Sequence, residues 1–273
     1  MADLEPESPR PVADRLVASP EALLNAGLLV PTVGVVAAEG ALYVGSLTVA
    51  LWLHLLTLLF CAFGALRVRD TAMLQAFALV PLFRLVNLGM PVFVELTLLW
   101  FPLVYFPVVP AMVLVNRNPD IPDVTWRPRL ALVLGPLAVV LGGALSGIEY
   151  AIIQPDALVR SFSLPNVALL SLVMIGFVGL VEEYVYRGVL QRTVQARLGR
   201  VAGLVMVSVL FGLMHSAYRA PGELVFATAI GLLFGLLYDA TDSLALVVLV
   251  HGVLNIFLFG VVPLDVVIPG VPI

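Results

Sequence analysis

The chain has 273 residues, of which 61% are hydrophobic and only 12% are charged. Soluble domains are roughly half apolar and one quarter charged, so this composition excludes an ordinary soluble fold and indicates a membrane protein. The formal net charge is −4 and no basic cluster is present, so a nucleic-acid partner is not expected. The single cysteine, Cys61, excludes an intrachain disulfide and a cysteine-rich metal site.

Apolar segments close to the ~20 residues that span a bilayer recur along the chain. The polar segment before them lacks the basic-then-apolar order of a cleaved signal peptide. Leu28–Ala38 is apolar but too short to cross alone, and we interpret it as a re-entrant or interfacial helix. The predicted fold is all-α, a polytopic transmembrane bundle of about eight helices without a soluble domain. The predicted helices are Leu42–Leu66, Ala72–Leu88, Pro91–Val115, Leu130–Ile153, Val167–Leu190, Val201–Ser216, Leu224–Tyr238 and Leu244–Val262.

The arginines in the short loops are distributed unevenly between the two sides of the predicted bundle. Arg160 and Arg219 lie on one side, and the arginine-rich side is expected to be cytoplasmic. With eight helices both termini lie on the non-cytoplasmic side. This conflicts with Arg10 and Arg15 in the N-terminal segment, because arginines near membrane helices favour the cytoplasmic side. A ninth crossing near Leu28–Val44 would remove this conflict. The arginine-rich side carries Arg67, Arg69, Arg117, Arg127, Arg129, Arg192, Arg197 and Arg200.

The fifth predicted helix carries two adjacent glutamates and an arginine, Glu182, Glu183 and Arg187. Ionisable side chains at membrane depth are expensive and are functional candidates for that reason. Glu183 and Arg187 lie on one helix face and can form an ion pair, whereas adjacent residues point about 100° apart. The pattern predicts that Arg187 holds Glu183 while Glu182 is available to act. A purely structural ion pair between helices is the alternative.

Three further polar side chains follow in apolar helices. His215 lies late in the sixth helix, and His251 and Asn255 share one face early in the eighth. A lone histidine or asparagine in such a helix usually has a structural role, but together with two glutamates these residues supply a base and hydrogen-bond donors. Ser216 adjoins His215, yet neighbours on a helix point apart, so acyl-enzyme chemistry is not expected.

The depths of the two histidines do not match in ideal vertical helices. His251 lies about 10 Å from the start of its helix, and His215 lies about 21 Å from the start of its own helix on the same side. A tilt, a displaced boundary, or an extension of the fifth and sixth helices beyond the cytoplasmic surface would bring them together.

The order Glu-Glu-xxx-Arg, Phe-xxx-His and His-xxx-Asn on successive membrane helices resembles the CPBP family of intramembrane proteases. This family includes the type II CAAX prenyl proteases and the Abi, or bacteriocin-processing, group. The first motif is the group of two glutamates and an arginine described above. The second consists of Phe211 and His215, and the third consists of His251 and Asn255. The resemblance covers roughly Ser163–Gly260. Composition, hydropathy and this resemblance together divide the chain into a polar tail at 1–26, membrane helices without a recognised motif at 27–160, CPBP-like catalytic helices at 161–262 and a tail at 263–273.

The resemblance implies hydrolysis of a peptide bond by an activated water in a cavity between helices. Glu182 would be the general base and His215 would help to hold the water, while His251 and Asn255 would donate hydrogen bonds to the oxyanion. The Glu183–Arg187 pair would orient the base. The expected partners are membrane lipid and a membrane-associated or prenylated peptide, and the expected location is the cell membrane, with several crossings.

The family is also called a metalloprotease family, so His215, His251 and Glu182 are candidate ligands for a divalent metal such as zinc. The chain lacks the His-Glu-xx-His zinc motif and asparagine is an unusual zinc ligand, which favours a glutamate-activated water. Two other classes of function are alternatives to a protease. A proton-coupled transporter would use a relay of ionisable residues, Glu182, Glu183, Arg187 and His251. A non-catalytic membrane scaffold or immunity protein would keep only the fold.

Other charges inside apolar segments are expected to pair between helices. Arg84 is expected to neutralise one of the glutamates Glu39, Glu95 and Glu149. His54 is interpreted as a packed or hydrogen-bonded core histidine. None of these residues is expected to be catalytic.

Overall fold

The computed structural model describes residues 26–68, 71–89 and 97–264. The predicted tails, up to residue 25 and from residue 265, lie outside the described residues, as do Arg69 and Glu95. All regular elements of the described ranges are helical, and these ranges contain no strand. The all-α prediction is therefore confirmed.

Ten helices follow one another in the described residues. Eight of them, all except α4 and α5, are long and apolar enough to cross a membrane, so the chain is a multi-pass membrane protein. A 3-10 turn at Ser216–Tyr218 continues α8. The helices are α1 Ala26–Tyr43, α2 Leu47–Ala65, α3 Ala72–Gly89, α4 Trp100–Val115, α5 Pro128–Val133, α6 Gly135–Ile153, α7 Leu164–Leu198, α8 Arg200–Leu213, α9 Pro221–Thr241 and α10 Leu244–Leu264.

The structure corrects the predicted N-terminal helices. The segment Leu28–Ala38 is not a short interfacial helix but part of α1, which has 18 residues, and α2 begins only at Leu47. Gly45 forms the turn between them with a φ of 93°, a left-handed conformation that favours glycine. The ninth crossing considered for Leu28–Val44 is therefore present as a helix of spanning length. Residues 91–96 of the predicted helix Pro91–Val115 lie outside the described residues, and the described part contains the shorter α4.

The helix ends form two faces. At the arginine-rich face, Asn118 donates to the Thr71 hydroxyl at 2.9 Å. The backbone amide of Leu244 donates to the carbonyl of Thr125 at 2.9 Å. These bonds join the turn before α3, the segment before α5 and the turn before α10. The face comprises Arg67, Arg117, Arg127, Arg129, Arg192, Arg197 and Arg200.

The opposite face carries two arginines, Arg160 and Arg219. The guanidinium group of Arg219 lies against Gly45, in the turn between α1 and α2. The amide of Leu158 donates to the carbonyl of Phe259 at 2.9 Å, which places the α6–α7 loop beside the end of α10. The described arginines therefore divide between the faces as the sequence predicted.

The long helix α7 resolves the mismatch in depth. It runs over 35 residues and contains π-helical turns at Met174–Gly179 and Tyr184–Gln191. Arg192 pairs with Asp242, in the turn before α10. Because Arg192 precedes the last residue of α7 by six positions, α10 begins about 9 Å short of that end. The helices α7 and α8 extend past α10 at the arginine-rich face, and this extension brings the two histidines to a common depth.

Glycines allow close contact around the site. A Cβ atom at Gly142 of α6 would lie 2.9 Å from the backbone nitrogen of Leu254 in α10. A Cβ atom at Gly231 of α9 would lie 3.0 Å from the carbonyl oxygen of Ser208 in α8. Small residues permit such backbone approach in membrane bundles. They fix the position of α8, which His215 follows closely, and that of α10, which carries His251 and Asn255.

Candidate active site

Glu183 lies in a fully buried ionic cluster. Arg187 Nη1 lies 3.3 Å from Glu183 Oε1, to which it donates, and 3.2 Å from Oε2. Arg187 Nη2 donates to the carbonyl of Gly231 at 3.2 Å, and the guanidinium carbon lies 4.1 Å from the centre of the Phe211 ring. The predicted ion pair within α7 is present, and it also joins α7 to α8 and α9.

His251 lies between the two glutamates. Its Nδ1 atom is 2.6 Å from Glu183 Oε1, and its Nε2 atom is 3.9 Å from Glu182 Oε2. A carboxylate only accepts hydrogen bonds, so Nδ1 carries a proton and donates it to Glu183. The adjacent glutamates point apart, as predicted, yet they meet opposite nitrogens of one imidazole ring from α10.

Glu182 makes no ion pair with an arginine of the described residues. Its Oε1 atom accepts a hydrogen bond of 2.5 Å from the hydroxyl of Tyr105, and its side chain is 13% exposed. Tyr105 lies in α4, 77 positions earlier in the chain. Sequence reasoning did not find Tyr105, because no motif or regular spacing connects it to the glutamates.

His215 and Asn255 complete the predicted set. His215 Nδ1 lies 3.2 Å from the carbonyl oxygen of Phe211, so Nδ1 donates and Nε2 remains available to a ligand. The ring of His215 is tilted against Phe211, with centroids 5.4 Å apart. No hydrogen bond ties the Asn255 side chain to another of the residues described by the structure. Both residues therefore have hydrogen-bonding groups to offer.

These side chains line one cavity of about 500 Å³. Glu182 of α7, His215 after α8, and His251 and Asn255 of α10 all contribute to its wall. Most of the remaining wall is apolar or aromatic, from α3, α4 and the end of α10. Glu183 and Arg187 lie behind this wall and do not contribute to it. The structure thus brings together the residues of all three motifs. Some of them line the cavity, whereas Glu183 and Arg187 contact the cavity-lining residues from behind.

A second buried ionic cluster supports the cavity from the N-terminal helices. Glu39 accepts hydrogen bonds from Arg84 at 2.6 and 2.7 Å and from the Ser216 hydroxyl at 2.5 Å. His54 Nε2 lies 3.1 Å from the same carboxylate. The predicted neutralisation of a glutamate by Arg84 is confirmed, and His54 is a hydrogen-bonded core residue. Ser216 donates to Glu39 and does not line the cavity, so the structure does not place it as a nucleophile.

The residues present do not fit a three-ligand zinc site. Within the described ranges no three histidine, cysteine, aspartate or glutamate side chains are grouped to hold a metal ion. His251 uses Nδ1 for Glu183, and His215 uses Nδ1 for the Phe211 carbonyl, so each has one nitrogen left. Glu182 lies beside His251, but His215 does not join them as a third ligand. We therefore assign no step to a metal.

The part of the chain that carries all three motifs matches a family of membrane hydrolases. Residues 164–257 match the family of Rce1-like type II CAAX prenyl endopeptidases. The matched segment runs from the start of α7 into α10 and includes all three motifs. No curated protein and no solved structure matches the chain. Residues 164–257 are therefore a domain of the CPBP family of intramembrane proteases, and the chain is a hydrolase of the protease class.

Proposed function

We propose that the protein hydrolyses a peptide bond of a membrane-associated peptide with a water molecule that Glu182 activates. Such peptides include prenylated and otherwise lipidated ones. Glu182 is the general base and His215 holds the water. His251 and Asn255 stabilise the oxyanion. Glu183 and Arg187 are positioning residues, because they reach the cavity only through His251 and the helix backbone.

One observation carries this proposal. Of the two adjacent glutamates, Glu183 is enclosed by Arg187 and His251, whereas Glu182 reaches the cavity without an arginine partner among the described residues. A carboxylate that a guanidinium neutralises is a poor base. Glu182 has the position and the chemistry that proton abstraction from water requires.

The hydrogen bonds of the histidines assign their protons. His215 donates from Nδ1 to the Phe211 carbonyl, so its Nε2 lone pair accepts a hydrogen bond from the water. His251 donates from Nδ1 to Glu183, so donation to an oxyanion requires a second proton on Nε2. The negative charge of Glu183 balances the resulting imidazolium. Asn255 donates from its amide nitrogen.

The reaction then follows in two steps. Glu182 takes a proton from the water as the water oxygen bonds to the carbonyl carbon of the peptide. The tetrahedral oxyanion accepts hydrogen bonds from His251 and Asn255. As the carbon–nitrogen bond breaks, Glu182 returns the proton to the leaving nitrogen. The products are a carboxylic acid and an amine, which ionise to a carboxylate and an ammonium group, and no covalent enzyme intermediate forms.

Cleavage of farnesylated fluorogenic peptides by the purified protein in nanodiscs tests this proposal. We expect Glu182→Gln to lower kcat by about 100-fold or more, the usual contribution of a general base. Asn255→Ala is expected to lower kcat by roughly 100-fold, as loss of an oxyanion donor does. Asp123→Asn, the corresponding change of an exposed carboxylate at the arginine-rich face, is the control.

The control variant should cleave at the wild-type rate. If Glu182→Gln and Asn255→Ala did so as well, the proposed roles would be wrong. If the wild-type protein cleaved no peptide at any concentration, the scaffold and transporter alternatives would be favoured.

A further inference from the structure

Glu149 is a buried glutamate that the proposed mechanism does not use. It lies near the end of α6 and is only 8% exposed. Its carboxyl group makes no hydrogen bond and no ion pair with another residue that the structure describes. Burial of a polar group without a partner costs free energy, and buried side-chain oxygens nearly always have one. The Glu149 carboxyl group therefore needs a hydrogen-bond partner.

The side chain of Glu149 reaches the candidate active site from α6. Glu149 lines the cavity of about 500 Å³ described above, and it also lines a smaller chamber of about 30 Å³. The walls of both contain His215, His251 and Asn255. Glu149 precedes the matched segment 164–257, so it brings a carboxyl group to the site from outside that segment.

The smaller chamber has the size and the polarity of a water site. A cavity holds a water molecule when about 10–15 Å³ is open to the centre of the water and two to four polar groups surround it. At about 30 Å³ the chamber has room for about two water molecules. Its wall carries the polar side chains of Glu149, His215, His251 and Asn255. They do not form a metal site, since the described residues include no group of three ligands that could hold a metal ion.

Asn255 is the side chain that water in this chamber would orient. The rings of His215 and His251 are already fixed through Nδ1, by the Phe211 carbonyl and by Glu183. Asn255 is buried, yet no hydrogen bond joins its side chain to another described residue. An amide that turns by about 180° exchanges its donor and its acceptor. Donation to an oxyanion therefore requires a partner that holds the amide in one orientation.

From these observations we propose that Glu149 holds water in the smaller chamber and that this water orients the amide of Asn255. The water donates one hydrogen to the Glu149 carboxyl group and the other to Asn255 Oδ1. Asn255 Nδ2 then points into the larger cavity, where it donates to the oxyanion. Glu149 is a positioning residue, because it acts only through Asn255. This inference rests on the proposed function for the role of Asn255, but the water site does not depend on it.

A double-mutant cycle with a farnesylated fluorogenic peptide tests this role. Glu149→Leu keeps a side chain of similar size that cannot bond water, and we expect kcat to fall about tenfold with little change in KM. Glu149→Gln still bonds water and should cleave at nearly the wild-type rate. In an Asn255→Ala background, Glu149→Leu should cause no further loss, because residues that act through one another are not additive.

Glu223→Leu is the matched control. Glu223 is also a buried glutamate, and its carboxyl oxygens have no hydrogen-bond partner, but it lines neither the cavity nor the chamber. The control should keep the wild-type kcat. Thermal unfolding in detergent is measured for every variant. An equal loss of kcat in Glu149→Leu and Glu223→Leu would show a merely structural role and overturn the proposal.

Other kinetic results would overturn it as well. A wild-type kcat in Glu149→Leu would show that the water is not needed. The same tenfold loss in the Asn255→Ala background would show that Glu149 does not act through Asn255. A loss in Glu149→Gln as large as in Glu149→Leu would show that bonding to water is not the property that matters.

A high-resolution crystal structure separates failure of this inference from failure of the proposed function. We expect a water molecule within hydrogen-bonding distance of Glu149 and Asn255 in the wild-type protein, and its loss in Glu149→Leu. A wild-type crystal without this water would overturn the inference even if Glu182→Gln abolished cleavage. Absence of cleavage by the wild-type protein would contradict the proposed function, while the crystal structure would still decide whether Glu149 and Asn255 share a water.

Discussion

At the scale of single residues, the two adjacent glutamates are distinguished by their partners. Glu183 is bonded to Arg187 and His251 inside the bundle, and Glu182 reaches the cavity. The spacing of four between Glu183 and Arg187 was sufficient to predict this difference. The sequence could not show that His251 lies between both carboxylates, because that contact joins α7 to α10 across 68 positions.

Tyr105 is a positioning residue that only the fold reveals. Its hydroxyl donates to Glu182 at 2.5 Å. We expect Tyr105→Phe to lower kcat by about tenfold with little change in KM, since a hydrogen bond to a charged group contributes roughly 1.5–3 kcal/mol. Steady-state kinetics measure the effect. Tyr150→Phe is the control, because its hydroxyl bonds to no other described residue. Equal kcat values for the two variants would show that the Tyr105 hydroxyl does not support the base.

Removal of divalent metals is expected to leave cleavage unchanged. The described histidine, cysteine, aspartate and glutamate side chains form no group of three or more that could hold a metal. The check is kcat/KM before and after dialysis against a chelator, together with the metal content of the protein. Loss of activity on dialysis and its recovery with zinc would contradict the assignment of the water to Glu182 alone.

At the scale of helices, the sequence predicted the C-terminal half well and misread the beginning of the chain. The charge of Glu39 interrupts the apolar segment of α1, so hydropathy alone divides the segment. In the fold this charge is neutralised by Arg84, 45 positions later. A local window cannot detect that pairing, and this is why α1 was predicted as a short interfacial helix.

The Glu39–Arg84 pair should be important for stability. Both side chains are almost completely buried. Arg84→Met leaves the Glu39 carboxylate without its cation, and breaking a buried pair costs about 3–5 kcal/mol. We expect a lower unfolding temperature in detergent, and partial recovery in the double variant Glu39→Gln/Arg84→Met. A single variant as stable as the wild type would contradict this role.

The contact between α6 and α10 should control the geometry of the site. In Gly142→Ala, the added Cβ atom would lie 2.9 Å from the nitrogen of Leu254, next to Asn255. Overpacking of this kind typically costs about 1–3 kcal/mol, so we expect lower stability and lower kcat. Gly147→Ala is a matched control on the same helix, because its Cβ atom would have no neighbour within 4 Å. Similar kcat values for both variants would argue against the role of this contact.

At the scale of the whole molecule, the site depends on helices from both parts of the chain. The distribution of arginines could be read from the sequence, and the contacts between loops agree with it. The position of the cavity could not be read, since its wall combines α3 and α4 with the domain at 164–257. The N-terminal helices carry no recognised motif, yet they contribute Tyr105 and the cluster around Glu39.

The most direct test of the central claim compares Glu182→Gln with Glu183→Gln in parallel. Each variant is measured for thermal unfolding in detergent and for cleavage of a farnesylated peptide. We predict that Glu182→Gln unfolds at the wild-type temperature and cleaves at a rate lower by about 100-fold or more. Glu183→Gln should unfold at a lower temperature, because Arg187 and His251 lose their charged partner. A well-folded Glu182→Gln protein that cleaves at the wild-type rate would show that Glu182 is not the base.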